Sequence, residues 1–463
     1  MVLEPKGVKS SLFKKVKDCF ENSSMRCTII VKNNLLFLGI FFWLSLTYIC
    51  CSMRKVNFLL IAGLCLIISC NSNINNGADY LNIDSCGVEL NENAPKTSWF
   101  KGYNGTGEES HGHFIMSCKD GGFLQIGETG YIPNSKILVV KTDNEGDFLW
   151  SKEIGQLKNN LGNSVIETDD SYFVVGALDE NSAIIKLEKS SGEIISSKTF
   201  DLGGSDAFEH IVEYQNELIA VGYNNAIDNQ NTFFTEGQAT ISVLSETGNL
   251  IQTKSIKEYL AQAYRIEVYN NYFFVSGLSD EANDYVLLKM DTSLNVIWSK
   301  RYGGEQSDHN FGMDIDIDGN IFLTGHTLSD TENWDTYTMK INLDGDKIWE
   351  SKFGNPRGFD PKYIHDETWD VKGTNDGGCI IVAGSGDEYE NYNAYCDSNG
   401  TSSNQWVVYL IKFSESGKVE WQNIYYDSEG GDWAGEAITL TNDNKAVVAV
   451  DNGSFGFLKI NSF

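Results

Sequence analysis

From Phe123 onward the hydrophobic positions fall into short runs separated by polar turns rich in Gly, Asp and Asn. One series of runs reads FLQIG to Gly127, YFVVG to Gly176, LIAVG to Gly222 and YFFVSG to Gly277. It continues with IFLTG to Gly325, CIIVAG to Gly384 and KAVVAV to Val450. A second apolar run follows each: ILVVKTD, AIIKLEK, TISVLSE, YVLLKMD, YTMKIN, VYLIKFS and GFLKIN. Tight turns such as DNEGD, ETGN, LDGD and ESGK come next, and several of the segments after them begin near Trp150, Trp298, Trp349 or Trp421. Short runs of β-branched and aromatic residues between Gly turns predict strands joined as hairpins. No strong long helical period occurs here.

The runs recur at intervals of roughly 46 to 66 residues, the range of propeller blades. Each unit supplies four strands. Such a unit cannot bury both of its faces alone, whereas radial stacking buries both and leaves only short edges. The termini sharpen the expectation. The last unit ends in its third strand, GFLKINSF, and a lone strand from Ser98 to Tyr103 precedes the first unit with the form of WSKRYG and WESKFG. The predicted fold is therefore all-β: a seven-bladed β-propeller of four-stranded antiparallel blades, its ring closed by the N-terminal strand at about 98–103. The unit resembles a bacterial seven-bladed propeller repeat family common among exported proteins. Trp298, Tyr302, Gly303, Gly304, Asp318, Gly319, Asn320 and Gly325 carry the likeness. It covers nearly all of 98–463 and implies a fold, not an activity.

Read from Met53, the chain places Arg54 and Lys55 before an apolar stretch from Phe58 to Ile68. That is signal-peptide length and too short to span a bilayer. Ile67-Ile68-Ser69-Cys70 follows, then the polar run NSNINNG. The segment resembles the bacterial lipobox. The resemblance implies a signal at 53–69, a diacylglyceryl group on Cys70 and a polar tether at 70–97. The protein would then be exported and held at the outer membrane or cell surface. Residues 1–52 read as an upstream extension of the gene, with Met53 the natural start. Their apolar run from Leu35 to Cys51 becomes a membrane helix only if Met1 is the start.

The formal charge is -29 and the pI near 4.5. That balance excludes nucleic acid as an expected partner, since phosphates need Lys and Arg. Cysteines are too sparse for a disulfide framework, although Cys379 and Cys396 share one unit and leave a single bridge open. Asp314-Ile315-Asp316-Ile317-Asp318-Gly319 has the opening of a calcium loop, but Phe322 and Gly325 stand where a further carboxylate is needed. A hairpin turn is expected, and no cofactor. The Gly-x-x-x-Trp turns are similar to the docking motif of quinoprotein propellers and approach the sialidase Asp-box. The partners those chemistries need are missing, because the propeller holds only Arg265, Arg301 and Arg357 as arginines. Trp is expected to pack between blades. His111 and His113 share one side of a strand, a metal-compatible spacing. His309 and His365 are expected in loops, where hydrogen bonding is the commoner role.

Strand order places the short turns on one face and the long connections on the other. The long ones lie at about 223–238, 328–336, 355–368, 385–405 and 427–434. Long loops on a rigid scaffold tend to carry function. The candidate binding residues are Tyr389, Tyr392, Tyr395, His365, Asp366, Trp369, Asp432 and Trp433, an aromatic and acidic set suited to a glycan or a protein loop. Within it, Trp369 and Trp433 are the ones most expected to pack at strand entrances. The leading expectation is a non-catalytic binding module. An enzyme acting on polysaccharide and a structural component of a surface assembly are the alternatives. Two carboxylates with perturbed pKa at the funnel would favour the enzyme, and an aromatic shelf without them would favour binding.

Overall fold

The structure, a computed structural model, describes residues 93–107, 109–131, 134–156, 158–226, 237–279, 284–396, 401–427 and 429–463, without the side chain of Cys396. The signal, Cys70 and most of the tether lie outside them, as does most of the 223–238 connection. Seven four-stranded antiparallel sheets form the blades. Their inner strands are Ser110–Ser117, Leu161–Glu167, Ser205–Tyr214, Gln262–Tyr269, Asp308–Ile315, His365–Gly373 and Ala434–Leu440. Each packs against the next, and the last packs against the first. The closing strand is as expected: Thr97–Tyr103 pairs antiparallel with Phe455–Ile460, with Phe100 opposite Leu458 and Gly102 opposite Gly456.

Apolar residues of neighbouring sheets interleave to form the core. Leu124, Ile126 and Val139 of blade 1 pack with Val165, Val174 and Ile185 of blade 2. At the closure, Ile115, Phe123 and Val140 pack with Ala437, Val447 and Phe457 of blade 7. Both faces of each sheet are thus buried, which is why the second and third strands read as continuous hydrophobic runs.

The recurrent Trp and Tyr of the outer strands have a shared use. Trp150 Nε1 donates to Lys189 O in the next blade at 3.1 Å, and Trp349 Nε1 donates to Glu415 O at 3.0 Å. Tyr302 donates to Gly345 O at 2.8 Å, and Tyr103 of the closing strand to Gly146 O at 2.5 Å. Gly146 has φ 77°, and a Cβ there would meet the Trp99 ring at 2.5 Å. Glycine is required at that turn by conformation and by space together. Lysines on the same strands reach the same turns, as in Lys152–Glu193 at 3.0 Å and Lys300–Asp346 at 2.8 Å. The outer strand of one blade is therefore clasped to the hairpin of the next, at the closure as elsewhere.

Some expectations change. His309 and His365 sit on inner strands rather than in loops. Cys379 is a buried free thiol, so no bridge joins it to Cys396. In the Asp314–Gly319 segment, Asp316 accepts from the N–H groups of Asp318 (3.0 Å) and Asn320 (2.8 Å), closing a hairpin turn. Asp314 instead accepts from Gly373 N–H at 2.6 Å. The two carboxylates thus serve separate partners, Asp316 its own hairpin and Asp314 the next blade.

Candidate functional site

Every inner strand carries a one-residue irregularity at the same place. The register skips between Gly112 and Phe114, Gly162 and Ser164, Phe208 and His210, and Ala263 and Arg265. It skips again between Asn310 and Gly312, Thr368 and Asp370, and Gly435 and Ala437. The extra residues are His113, Asn163, Glu209, Tyr264, Phe311, Trp369 and Glu436. A bulge re-aims a side chain that regular pleating would send to a blade face. Because the inner strands surround the axis, the seven bulges form a ring about it.

The ring has two unlike halves. Tyr264, Phe311 and Trp369 are consecutive and in contact, with ring centroids 5.0 Å and 4.5 Å apart. His326 and His309 extend this half, each packed on Trp334 at 4.9 Å and 4.6 Å. Burial pushes these imidazoles down to about 4 and about 3, so both are neutral at pH 7.

The other half is ionic. His113 Nε2 lies 2.5 Å from Glu128, and His111 Nε2 lies 3.1 Å from Glu109 and 2.9 Å from Asp451. Burial opposes the charge on His111, but Asp451, Glu128 and Glu436 outweigh it and hold the imidazole up to about 10. Burial raises Glu436 to about 7, aided by Asp451 and opposed by His111 and His113. It also raises Glu209 to about 7, opposed by Arg265 and His113. Glu209 and His113 stand two blades apart, so their mutual influence acts across the axis. Toward the short turns, Lys372 lies 3.7 Å from Asp314. Burial and Asp314 raise the neighbouring Glu267 to about 8.

The sixth-unit insertion is packed rather than open. Arg357, fully buried, donates to the carbonyls of Gln405 (2.7 Å), Ser402 (2.9 Å), Ser385 (3.1 Å) and Ser403 (3.2 Å). Tyr392 is buried too, stacked on Tyr363 at 4.3 Å and accepting from Asp360 N–H at 2.9 Å. Asp366 is fully enclosed, accepts from Asn355 N–H at 2.6 Å, and is pushed up to about 7 by burial. Trp433 is buried against Phe100 at 4.1 Å, where it helps seat the closing strand. These three therefore serve packing. Tyr389 and Tyr395 are exposed, and Tyr389 meets His365 edge-on at 5.8 Å. Asp432 is exposed and accepts from Trp406 N–H at 3.0 Å. Trp369 alone of the expected set belongs to the axial ring.

Sequence reasoning noticed His113 and Trp369 but passed over Asn163, Glu209, Tyr264, Phe311 and Glu436. Aligning the repeats on the residue that ends each second strand would place all seven in nearly one column. In that column every side chain but Asn163 is ionisable or aromatic.

No protein-family model and no curated protein matches the chain. Among solved structures it is similar to the WD40 domain of Neurospora crassa Pan2, with 11% identity, a TM-score of 0.51, and coverage of 80% of this chain and 96% of that one. It is also similar to a catalytically inactive virginiamycin B lyase from Staphylococcus aureus with quinupristin, at 11% identity and a TM-score of 0.49, covering 78% of this chain and 99% of that one. YCF48 bound to D1 peptide gives 10% identity and a TM-score of 0.47, covering 82% of this chain and 98% of that one. At such identities the likeness is one of fold. The chain is a seven-bladed β-propeller, an architecture that serves both binding modules and enzymes.

Proposed function

We propose that this propeller is an exported, membrane-anchored binding module that takes a glycan or protein segment at the axial mouth of its loop-rich face. The half-buried ring of Trp369, backed by the buried rings of Phe311 and Tyr264, carries the reading. The part of the Trp369 ring left open offers a stacking surface for a sugar face or an apolar side chain, and the ionic half opposite supplies orienting hydrogen bonds. Pro95 O accepts from the Tyr425 hydroxyl, and Lys96 O from Asn461 N–H, so the chain enters beside the short turns. A lipid on Cys70 would tether the molecule through the residues that precede this entry. Glycan arrays and pull-downs with the soluble 71–463 fragment test the reading. A ligand should be retained by the native protein and lost by Trp369→Ala. Retention unchanged by that substitution would refute the axial site.

One observation favours a second reading, an acid–base enzyme acting on polysaccharide. Glu209 and Glu436 are both held near neutrality beside the same imidazole, His113. Carboxyls tuned to about 7 are suited to proton transfer. Turnover of a bound glycan, abolished by Glu436→Gln with binding retained, would select the enzyme.

A further inference from the structure

Where the first and last blades meet on the loop-rich face, three side chains converge at the edge of the ionic half, none of them a bulge residue of the ring. His111 Nε2 lies between Glu109 Oε1 at 3.1 Å and Asp451 Oδ2 at 2.9 Å. The three donor atoms all lie within 4.8 Å of one another. Neighbouring ligands on one ion, with bonds of about 2.1 Å, stand about 3 Å apart. Sheet register fixes two of the donors: His111 is paired with Glu128, and Asp451 with Ala434 and Phe455. All three residues keep partial solvent contact, so an ion can reach them.

A second observation lies beside the strand that carries His111. Gln125 is fully buried, and among the described residues neither of its amide atoms has a hydrogen-bond partner. Its amide nitrogen abuts Gly112, the residue between His111 and His113. A buried amide without a partner calls for a small polar guest such as an ordered water.

We propose that Glu109, His111 and Asp451 form a site for one divalent first-row transition ion of the zinc or manganese class. The ion bridges blades 1 and 7 and keeps positions open to water or ligand. Imidazole with two carboxylates suits these ions, whereas calcium and magnesium favour all-oxygen shells. The site also spans the seam where the ring closes, so occupancy should resist opening of the ring.

The test uses the full chain, freed of metal by chelation and titrated with zinc alone by calorimetry. One ion per chain is expected, with a raised melting temperature. His111→Gln and Asp451→Asn should each weaken binding about ten-fold or more. Asp318→Asn, an exposed acid on the short-turn face, should change nothing. Absence of a saturable single site in the native protein overturns the proposal, and that readout stands even where a variant fails to fold. Zinc binding that persists in both folded site variants overturns it as well, and calcium bound as tightly as zinc overturns the assigned ion class.

Discussion

At the scale of single residues, Arg357 shows how one buried cation can organise an insertion. Its guanidinium serves four backbone carbonyls of the segment that sequence patterning marks only as a long loop. Arg357→Met keeps bulk but strips those carbonyls of their donor, and unsatisfied buried groups cost about 1–3 kcal/mol each. A loss of about 3 kcal/mol or more is expected in urea unfolding, with faster proteolysis within 387–406. A variant as stable and as protease-resistant as the native protein would contradict this account. Glu209 makes a different prediction. The fold holds its carboxyl up to about 7 against an ordinary 4.5, so the native state binds this proton more tightly than the unfolded chain. The stability it contributes is full below pH 4.5 and is lost as pH rises through 7. Glu209→Gln cannot ionise. Its unfolding midpoint relative to the native protein should therefore improve between pH 4.5 and pH 8, and a difference that stays constant over that window would argue against the assignment.

At the scale of elements, the closing strand is joined to its blade by pairing and to the next blade by the Trp99, Lys101 and Tyr103 clasp. None of these contacts depends on which end of the chain supplies the strand. Ile460 already lies opposite Thr97, the arrangement a hairpin needs. Moving residues 96–103 to follow Phe463 should thus preserve a cooperative fold, with a melting temperature close to the native one. Deleting them without replacement should leave Phe455–Ile460 an open edge and markedly lower that temperature. Equal melting of the deleted and native chains would show that closure contributes little. The inner-strand bulge is the other element of consequence. Each adds one residue at a fixed depth, and together they set seven side chains around the axis.

At the scale of the whole molecule, function depends on the ring assigning different chemistry to its two halves. Three consecutive blades supply aromatic rings flanked by neutral imidazoles, and the blades across the axis supply carboxylates around His111 and His113, whose imidazoles those carboxylates hold up. A ligand with an apolar face and a polar or cationic edge matches that division. Affinity for such a ligand should follow Trp369→Ala on one side and Glu436→Gln on the other. Isothermal titration calorimetry with such a ligand reads both losses independently of any turnover.

Seven units, their four strands, the short-turn and long-loop faces and the closing strand were all legible in local patterning. Strand period, glycine turns and buried aliphatic runs are properties of neighbouring residues, and propeller closure follows from counting them. The residues at the axis were not legible in that way. Glu209 and Glu436 look like ordinary solvent-facing charges until the bulges turn them inward and six other blades enclose them, which raises their carboxyls to about 7. Tyr392 and Asp366 run in the opposite direction, because a polar or aromatic side chain near an irregular segment gives no local sign that Tyr363 or Arg357 will enclose it, whereas Trp433 packs as its place at a strand entrance predicts. Sequence alone determined the blades. Only the tertiary structure decided which side chains share the axis, because burial and electrostatic coupling there arise between residues of different blades, tens to hundreds of positions apart.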